Sequence, residues 1–183
     1  MKGNKNAVRL LYTTAVVIAF AVIFCAVFAP LLAPYDPSAV SPEEVLEHSS
    51  AAHWFGTDAL GRDILSRVIY GARSSVAFAF CSAFCTMVLG LSLGMVSGYF
   101  GGLADKSVQC LVALFQGLPG TSLMIAIAAI LPENDFRIII ALTLTSWTGF
   151  SRIVRNEVLR IKGETYMEGI RSIGAGHWYI LRK

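Results

Sequence analysis

Seven side chains in this sequence are of the types that bind soft metals or act as nucleophiles, four cysteines and three histidines. A metal site needs several such ligands at matched spacing. Cys25, Cys81, Cys85 and Cys110 all fall inside apolar runs, with no histidine beside them. Cys81 and Cys85 lie one helical turn apart, and His48, His53 and His177 are scattered. The cysteines therefore read as small apolar residues, and their pattern is no disulfide framework. The sequence also lacks a nucleophile–base pairing and a phosphate-binding glycine loop. No metal or cofactor is expected on this chain, and it is not expected to be an enzyme.

The remaining candidate chemistry is docking. Residues 152–183 are basic and polar and carry Tyr-Met-Glu-Gly-Ile-Arg-Ser-Ile-Gly at positions 166–174. Thr165 can cap a short helix with Glu168 at the third position, a capping-box arrangement. Gly174 suits a left-handed turn that ends it. A short capped helix followed by a glycine turn, held just outside a bilayer, offers a handle to a soluble partner.

The segments that must position this handle are apolar. Hydrophobic residues make up 55% of the chain, far from an ordinary soluble composition. Stretches 10–35, 74–104 and 107–132 contain no charge, and each exceeds the roughly 18–20 residues that cross a bilayer. A fourth, 138–151, spans only if its helix continues past Arg152, whose long side chain can snorkel. The fold class expected is an all-α integral membrane protein with four transmembrane helices.

Lys2, Lys5 and Arg9 precede the first span, and seven bases against three acids follow the fourth. Basic flanks favour the cytoplasm, so both termini are expected there, with the 36–73 loop outside. The Ala-Val-Phe-Ala at 26–29 resembles a signal-peptide cleavage site. Pro30 directly after it, and the length of the apolar run, favour an uncleaved span. The expected organisation is a tail at 1–9, a span at 10–35, an external loop with an interfacial helix at 36–73, spans two to four at 74–151, and a cytoplasmic extension at 152–183.

Three prolines at 30, 34 and 37 end the first span, and Ser41 can cap a short helix through Leu46. Thr57 or Asp58 is a natural cap for a helix carrying Leu60, Ile64, Leu65, Val68 and Ile69, with Trp54 and Phe55 beside it at the interface. Gly90, Gly94, Gly98 and Gly102 recur every fourth residue, which puts a glycine groove on one helical face for another helix to enter. Gly101 and Gly102 suit a turn. Gly-Leu-Pro-Gly at 117–120 should kink or interrupt the third span. The first three spans hold no charge in their central parts, unlike proton-driven carriers, so any energy source is expected on another chain.

The segment Glu168-Gly169-Ile170-Arg171-Ser172-Ile173-Gly174 resembles the cytoplasmic EAA loop of ATP-binding-cassette importer permeases, Glu-Ala-Ala, three residues, then Gly. Gly56-Thr57-Asp58, Gly61-Arg62-Asp63, Ser66-Arg67 and Gly71-Ala72-Arg73 resemble the outer segment of the second permease subunit of dipeptide, oligopeptide and nickel importers, as do Gly98-Tyr99-Phe100-Gly101-Gly102 and Thr145-Ser146-Trp147. The resemblance implies a type I importer permease in the bacterial cytoplasmic membrane, moving peptides, or nickel or another small solute. It implies a second permease subunit, two cytoplasmic subunits that bind ATP, and an external substrate-binding protein as partners. It also implies that Glu168, Gly169, Ile170 and Gly174 dock on the ATPases. The expected small pair after Glu168 is here Gly169 and bulky Ile170. The family pattern continues into a second short helix and two more spans, so the chain is expected to be a fragment ending within the loop. An alternative expectation is a non-transporting fragment with only an assembly or interfering role.

Overall fold

The computed structural model describes residues 2–176. The described residues form helices joined by turns and one ordered loop, and the chain makes two compact units, residues 1–79 and 80–183.

In the first unit, α1 runs over Lys2–Val27. Its threonines return their hydroxyls to backbone carbonyls one turn back, Thr13 to Arg9 at 2.8 Å, so the helix shows little polar surface where lipid would lie. The short helix α2, Ala29–Leu32, takes Pro30 in its first turn, where a missing N–H costs nothing. The loop from 33 to 63 follows, with one 3₁₀ turn at Pro42–Glu44 preceded by Ser41, whose side chain makes no capping bond.

Helix α3, Ile64–Phe100, has 37 residues. Its cap is Asp63, not Thr57 or Asp58: the Asp63 carboxylate accepts the Ser66 N–H at 2.7 Å, satisfying an orphan donor of the first turn. The helix expected to carry Leu60 to Ile69 and lead into the second span begins only at Ile64, so Leu60 lies outside it. Residues 58–63 form a turn with Gly61 at φ 71°, and the apolar positions from Ile64 onward belong to α3 itself. The left-handed residue stops helix from propagating between 58 and 63, which moves the start to the next available carboxylate.

In the second unit α3 turns into α4, Gly102–Gln116, through Gly101 and Gly102, both at positive φ. Asp105 lies in the first turn of α4. α4 and α5, Gly120–Ile130, are bent by 91° across the Gly-Leu-Pro-Gly break. α6, Phe136–Lys162, then runs 27 residues to Gly163, and α7 is Thr165–Ser172.

Among the described residues two helical stretches are long and apolar enough to cross a membrane, Ala7–Val27 and Ile64–Phe100, and the bent α4–α5 pair makes a third if it counts as one broken span. The chain is an all-α membrane protein of this kind. The expected fourth span, 138–151, lies within α6, whose second half carries Arg152, Arg155, Glu157, Arg160 and Lys162.

Packing follows the same logic. Large apolar side chains such as Phe20, Phe80, Phe84 and Ile125 point outward, while the largest completely buried side chains are Ser66, Ser97 and Ser151. In hydrocarbon there is no hydrophobic gain from hiding a leucine, so small residues let backbones approach. A Cβ on Gly90 would stand 2.7 Å from the Phe150 ring, and one on Gly98 would stand 2.9 Å from Val158 Cβ. Beside this seam Val108, Val112 and Trp147 form a small core flanked by Leu93 and Phe115. Phe115 meets Trp147 edge-on, with ring centroids 5.7 Å apart.

Candidate functional site

The handle is built at the end of α6. The Gly163 N–H bonds the carbonyls of Leu159 and Arg160 at 3.3 and 3.2 Å, and the Glu164 N–H bonds that of Ile161 at 3.1 Å. The chain therefore leaves α6 through a bonded turn. Thr165 is the first residue of α7 rather than its cap, and the residue before it, Glu164, accepts the Met167 N–H at 2.9 Å. At the other end Gly174 has φ 81°, and the Ala175 N–H reaches back to the Ile170 carbonyl at 3.4 Å. This is the six-to-one bond of a left-handed glycine C-cap.

α7 has two faces. Met167 is buried and Ile170 half-buried, which marks the inner side. Tyr166 and Ile173, 56% and 82% exposed, stand on the outer side with Gly169 between them, and no described residue lies within 4 Å of where a Gly169 Cβ would be. Glu168 is exposed, and its backbone carbonyl accepts the Ser172 hydroxyl at 2.8 Å. Among the four docking candidates, Glu168 and Gly169 face solvent, Ile170 turns partly inward, and Gly174 makes the terminal turn. The bulk of Ile170 is thus taken up on the side of Met167.

Upstream of the handle, α6 carries a charged lock. Arg155 of α6 donates to both carboxylate oxygens of Asp105, Nε to Oδ1 and Nη2 to Oδ2, each at 2.6 Å. The Ser97 hydroxyl donates to the same Asp105 Oδ1 at 2.5 Å, and Gln109 donates to Ser97 at 3.3 Å. Lys162 adds a bond from Nζ to the Tyr99 carbonyl at 2.8 Å. Further along, Arg152 reaches Gln116 at 2.8 Å, at the end of α4 beside the break. Two-pronged guanidinium–carboxylate pairing is both charge-assisted and directional. It joins the end of α3, the start of α4 and the end of α6.

The 36–63 loop carries its own network in the first unit. The Asp58 carboxylate accepts the backbone N–H groups of Leu60 at 2.8 Å and Arg62 at 3.1 Å, and the Arg62 Nε at 2.9 Å. It also pairs with Arg67. The Arg62 guanidinium, followed by these backbone donors, holds the Asp58 carboxyl far below its ordinary value. Gly56 and Gly61 sit at φ 72° and 71°, against the carbonyls of Glu47 and Ser41, with no room for a side chain. Thr57 donates its hydroxyl to the Glu44 carbonyl and accepts the Glu47 N–H at 2.9 Å. The six outer-motif residues, Gly56, Thr57, Asp58, Gly61, Arg62 and Asp63, thus share one folded clasp.

At its centre is His53, 5% exposed. Its Nδ1 lies 3.0 Å from Asp63, Nε2 lies 3.7 Å from Glu44, and the ring stacks on Tyr35 with centroids 4.8 Å apart. Asp63 hydrogen-bonds this ring and outweighs the burial that opposes charge, so the imidazole pKa is raised. Burial works against ionisation of Asp63, but the Ser66 and His53 donors together prevail and lower its pKa.

Sequence reasoning missed His53 and the Asp105–Arg155 pair. His53 looks scattered because its carboxylate partners, Glu44 and Asp63, stand well away from it on either side in the sequence. Asp105 and Arg155 are separated by 50 residues, and only their placement just after the second and fourth apolar runs hints that they meet. Among the described residues no group of three or more histidine, cysteine, aspartate or glutamate side chains is arranged to hold a metal ion.

Comparison with known proteins gives this arrangement a family. Residues 90–183 match the family described as binding-protein-dependent transport system inner membrane component. The chain is 38% identical over 160 residues to the glutathione transport system permease protein GsiD of Pectobacterium atrosepticum, covering 87% of this chain and 53% of that one. It is 36% identical over 183 residues to the dipeptide transport system permease protein DppC of Bacillus subtilis, covering 100% and 56%. It is 34% identical over 174 residues to the oligopeptide transport system permease protein OppC of the same organism, covering 95% and 55%. The chain spans about half the length of the curated relatives it matches. With its apolar helices, its glycine seam and a match across the whole second half of its sequence, the chain belongs to the family of inner-membrane components of binding-protein-dependent transport systems.

Proposed function

We propose that this chain is a permease subunit of an ATP-binding-cassette importer whose cargo is short peptides. The three relatives are named for glutathione, a dipeptide and an oligopeptide, and the chemistry these share is a peptide backbone with charged termini. Its partners are a second permease subunit, two cytoplasmic ATPases and an external binding protein. The N-terminus and α7 lie in the cytoplasm, consistent with the basic residues before α1 and along the end of α6, and the 36–63 clasp lies outside. α6 provides the fourth crossing.

The observation that carries this reading is α7. It is a separate eight-residue helix, stopped at a left-handed glycine, with Tyr166 and Gly169 exposed on it and Ile173 exposed just beyond its end. A soluble ATPase can grip such an element in a groove, with Glu168 and Gly169 at the contact and Gly174 fixing its end. Closure of the ATPases then moves α7 as a rigid body.

The test is uptake of a labelled peptide by cells with and without the gene that encodes this chain, together with photocrosslinking from position 166 or 173. Loss of uptake on deletion, and a crosslink to the ATPase, support the reading. Undiminished uptake of dipeptides, tripeptides and longer peptides, with no ATPase crosslink from either position, would refute it.

A further inference from the structure

We infer that Arg155 is a positioning residue: paired with Asp105, it is the strut through which displacement of α7 reaches the α3–α4 turn, which deepens the importer reading and rests on it. α7 follows α6 after two residues, both bonded back to the last turn of α6. A pull on α7 is therefore felt by α6 rather than absorbed in a slack linker. Two cations near this end of α6 reach the α3–α4 region, Arg155 to Asp105 and Lys162 to the Tyr99 carbonyl. The lysine contact is a single point on a flexible stem, whereas the arginine fork is planar and grips two oxygens, so it resists sliding as well as separation.

α3 and α6 also meet along the seam where Gly90, Gly94 and Gly98 face Phe150, Val154 and Val158. Close packing of this kind holds the two helices together and in register. Asp105–Arg155 adds a charge-assisted, two-pronged contact that ties α6 to the start of α4. The strut is also backed. Ser97, completely buried, donates to Asp105 from the last turn of α3, and Gln109 donates to Ser97 from α4. Force entering at Arg155 thus arrives on both sides of the Gly101–Gly102 turn.

The experiment uses the purified transporter containing this chain, with the variants Asp105→Asn, Arg155→Gln, the double variant, and Arg155→Lys. ATPase retention and peptide moved per ATP hydrolysed are measured for each. The expected result is unchanged retention in all variants, with peptide per ATP falling roughly tenfold in each single variant, within the usual range of coupling between sites. The double variant should be no worse than either single one, because both remove the same strut. Arg155→Lys, which keeps the charge and loses the fork, should fall between. Normal peptide per ATP in the single variants would overturn the strut, as would losses that multiply in the double variant. A loss of ATPase retention in step with transport, in Arg155→Lys as well, would also overturn it, because the pair would then only hold the fold. Absence of ATPases from the wild-type complex would count against the importer reading itself, and the strut would go with it.

Discussion

Gly94 and Val154 are packed so closely that a Cβ on the glycine would stand 2.7 Å from the valine Cβ and 2.6 Å from the Ser151 carbonyl oxygen. One of these neighbours is backbone and cannot swing aside. Gly94→Val should therefore push α3 from α6 at a cost of about 1–3 kcal/mol, the usual range for overpacking. Gly71→Val, with nothing within 4 Å of its Cβ position, should be mild by comparison. Thermal unfolding of the two variants in detergent checks the contrast.

Gly61→Ala should unfold the clasp locally. The left-handed backbone alone costs an alanine about 1–2 kcal/mol, and its Cβ would overlap the Ser41 carbonyl oxygen at 1.8 Å. Hydrogen exchange over residues 41–63 should accelerate, while exchange in α6 stays unchanged. Equal protection of the clasp in variant and wild type would show that Ser41 can move away.

The clasp should be tightest at mildly acidic pH, above 3.8 and below about 6.5. The His53 pKa is raised above 6.5, so its contribution is fully present below about 6.5 and fades as pH climbs through the raised value. The Asp63 pKa is lowered from 3.8, so its contribution is present above that ordinary value and is lost as pH falls through the lowered one. A deprotonated ring has one donor for two carboxylates, Asp63 and Glu44, and leaves a lone pair facing one of them. Protection of the Thr57 amide, measured across this range and corrected for intrinsic exchange, should fall at both ends. His53→Ala should remove the alkaline fall.

Gly174→Val should uncouple transport from ATP hydrolysis more severely than Gly174→Asn. The position has φ 81°, with no described residue within 4 Å of where a Cβ would stand, and the penalty is conformational. Asparagine enters the left-handed region at modest cost, and a β-branched residue does not. Peptide-stimulated ATP hydrolysis should order as wild type, Asn, Val. Full stimulation in the valine variant would show that the terminal turn of α7 plays no part in coupling.

Much of this molecule is written in local pattern. The Gly-Leu-Pro-Gly break at 117–120 and the Gly101–Gly102 turn follow from backbone chemistry that glycine and proline impose wherever they occur. The four-residue glycine period names a face of α3, though only the fold shows that α6 fills it at Gly90, Gly94 and Gly98, while Gly102 has already turned away into open space. The start of α3 was harder to read, because Asp58 and Asp63 are equally good caps in isolation. What separates them is the left-handed Gly61, pressed against a loop twenty residues upstream. The Asp105–Arg155 pair was least legible, since it depends on two helices meeting at one height. Nothing in the local sequence of either residue encodes that height.

The length of α3 has a consequence for how the protein meets its bilayer. At 1.5 Å per residue, its 37 residues extend about 55 Å, against about 30 Å of hydrocarbon. The apolar stretch of α1, 21 residues over Ala7–Val27, comes to only about 32 Å. α1 is therefore matched to one membrane thickness and pays for mismatch when lipid chains lengthen or shorten. α3 has length to spare and can keep an apolar stretch in register with thin or thick bilayers alike. Lipid thickness should thus be felt through the first helix, while the glycine-lined helix passes through the membrane largely indifferent to it.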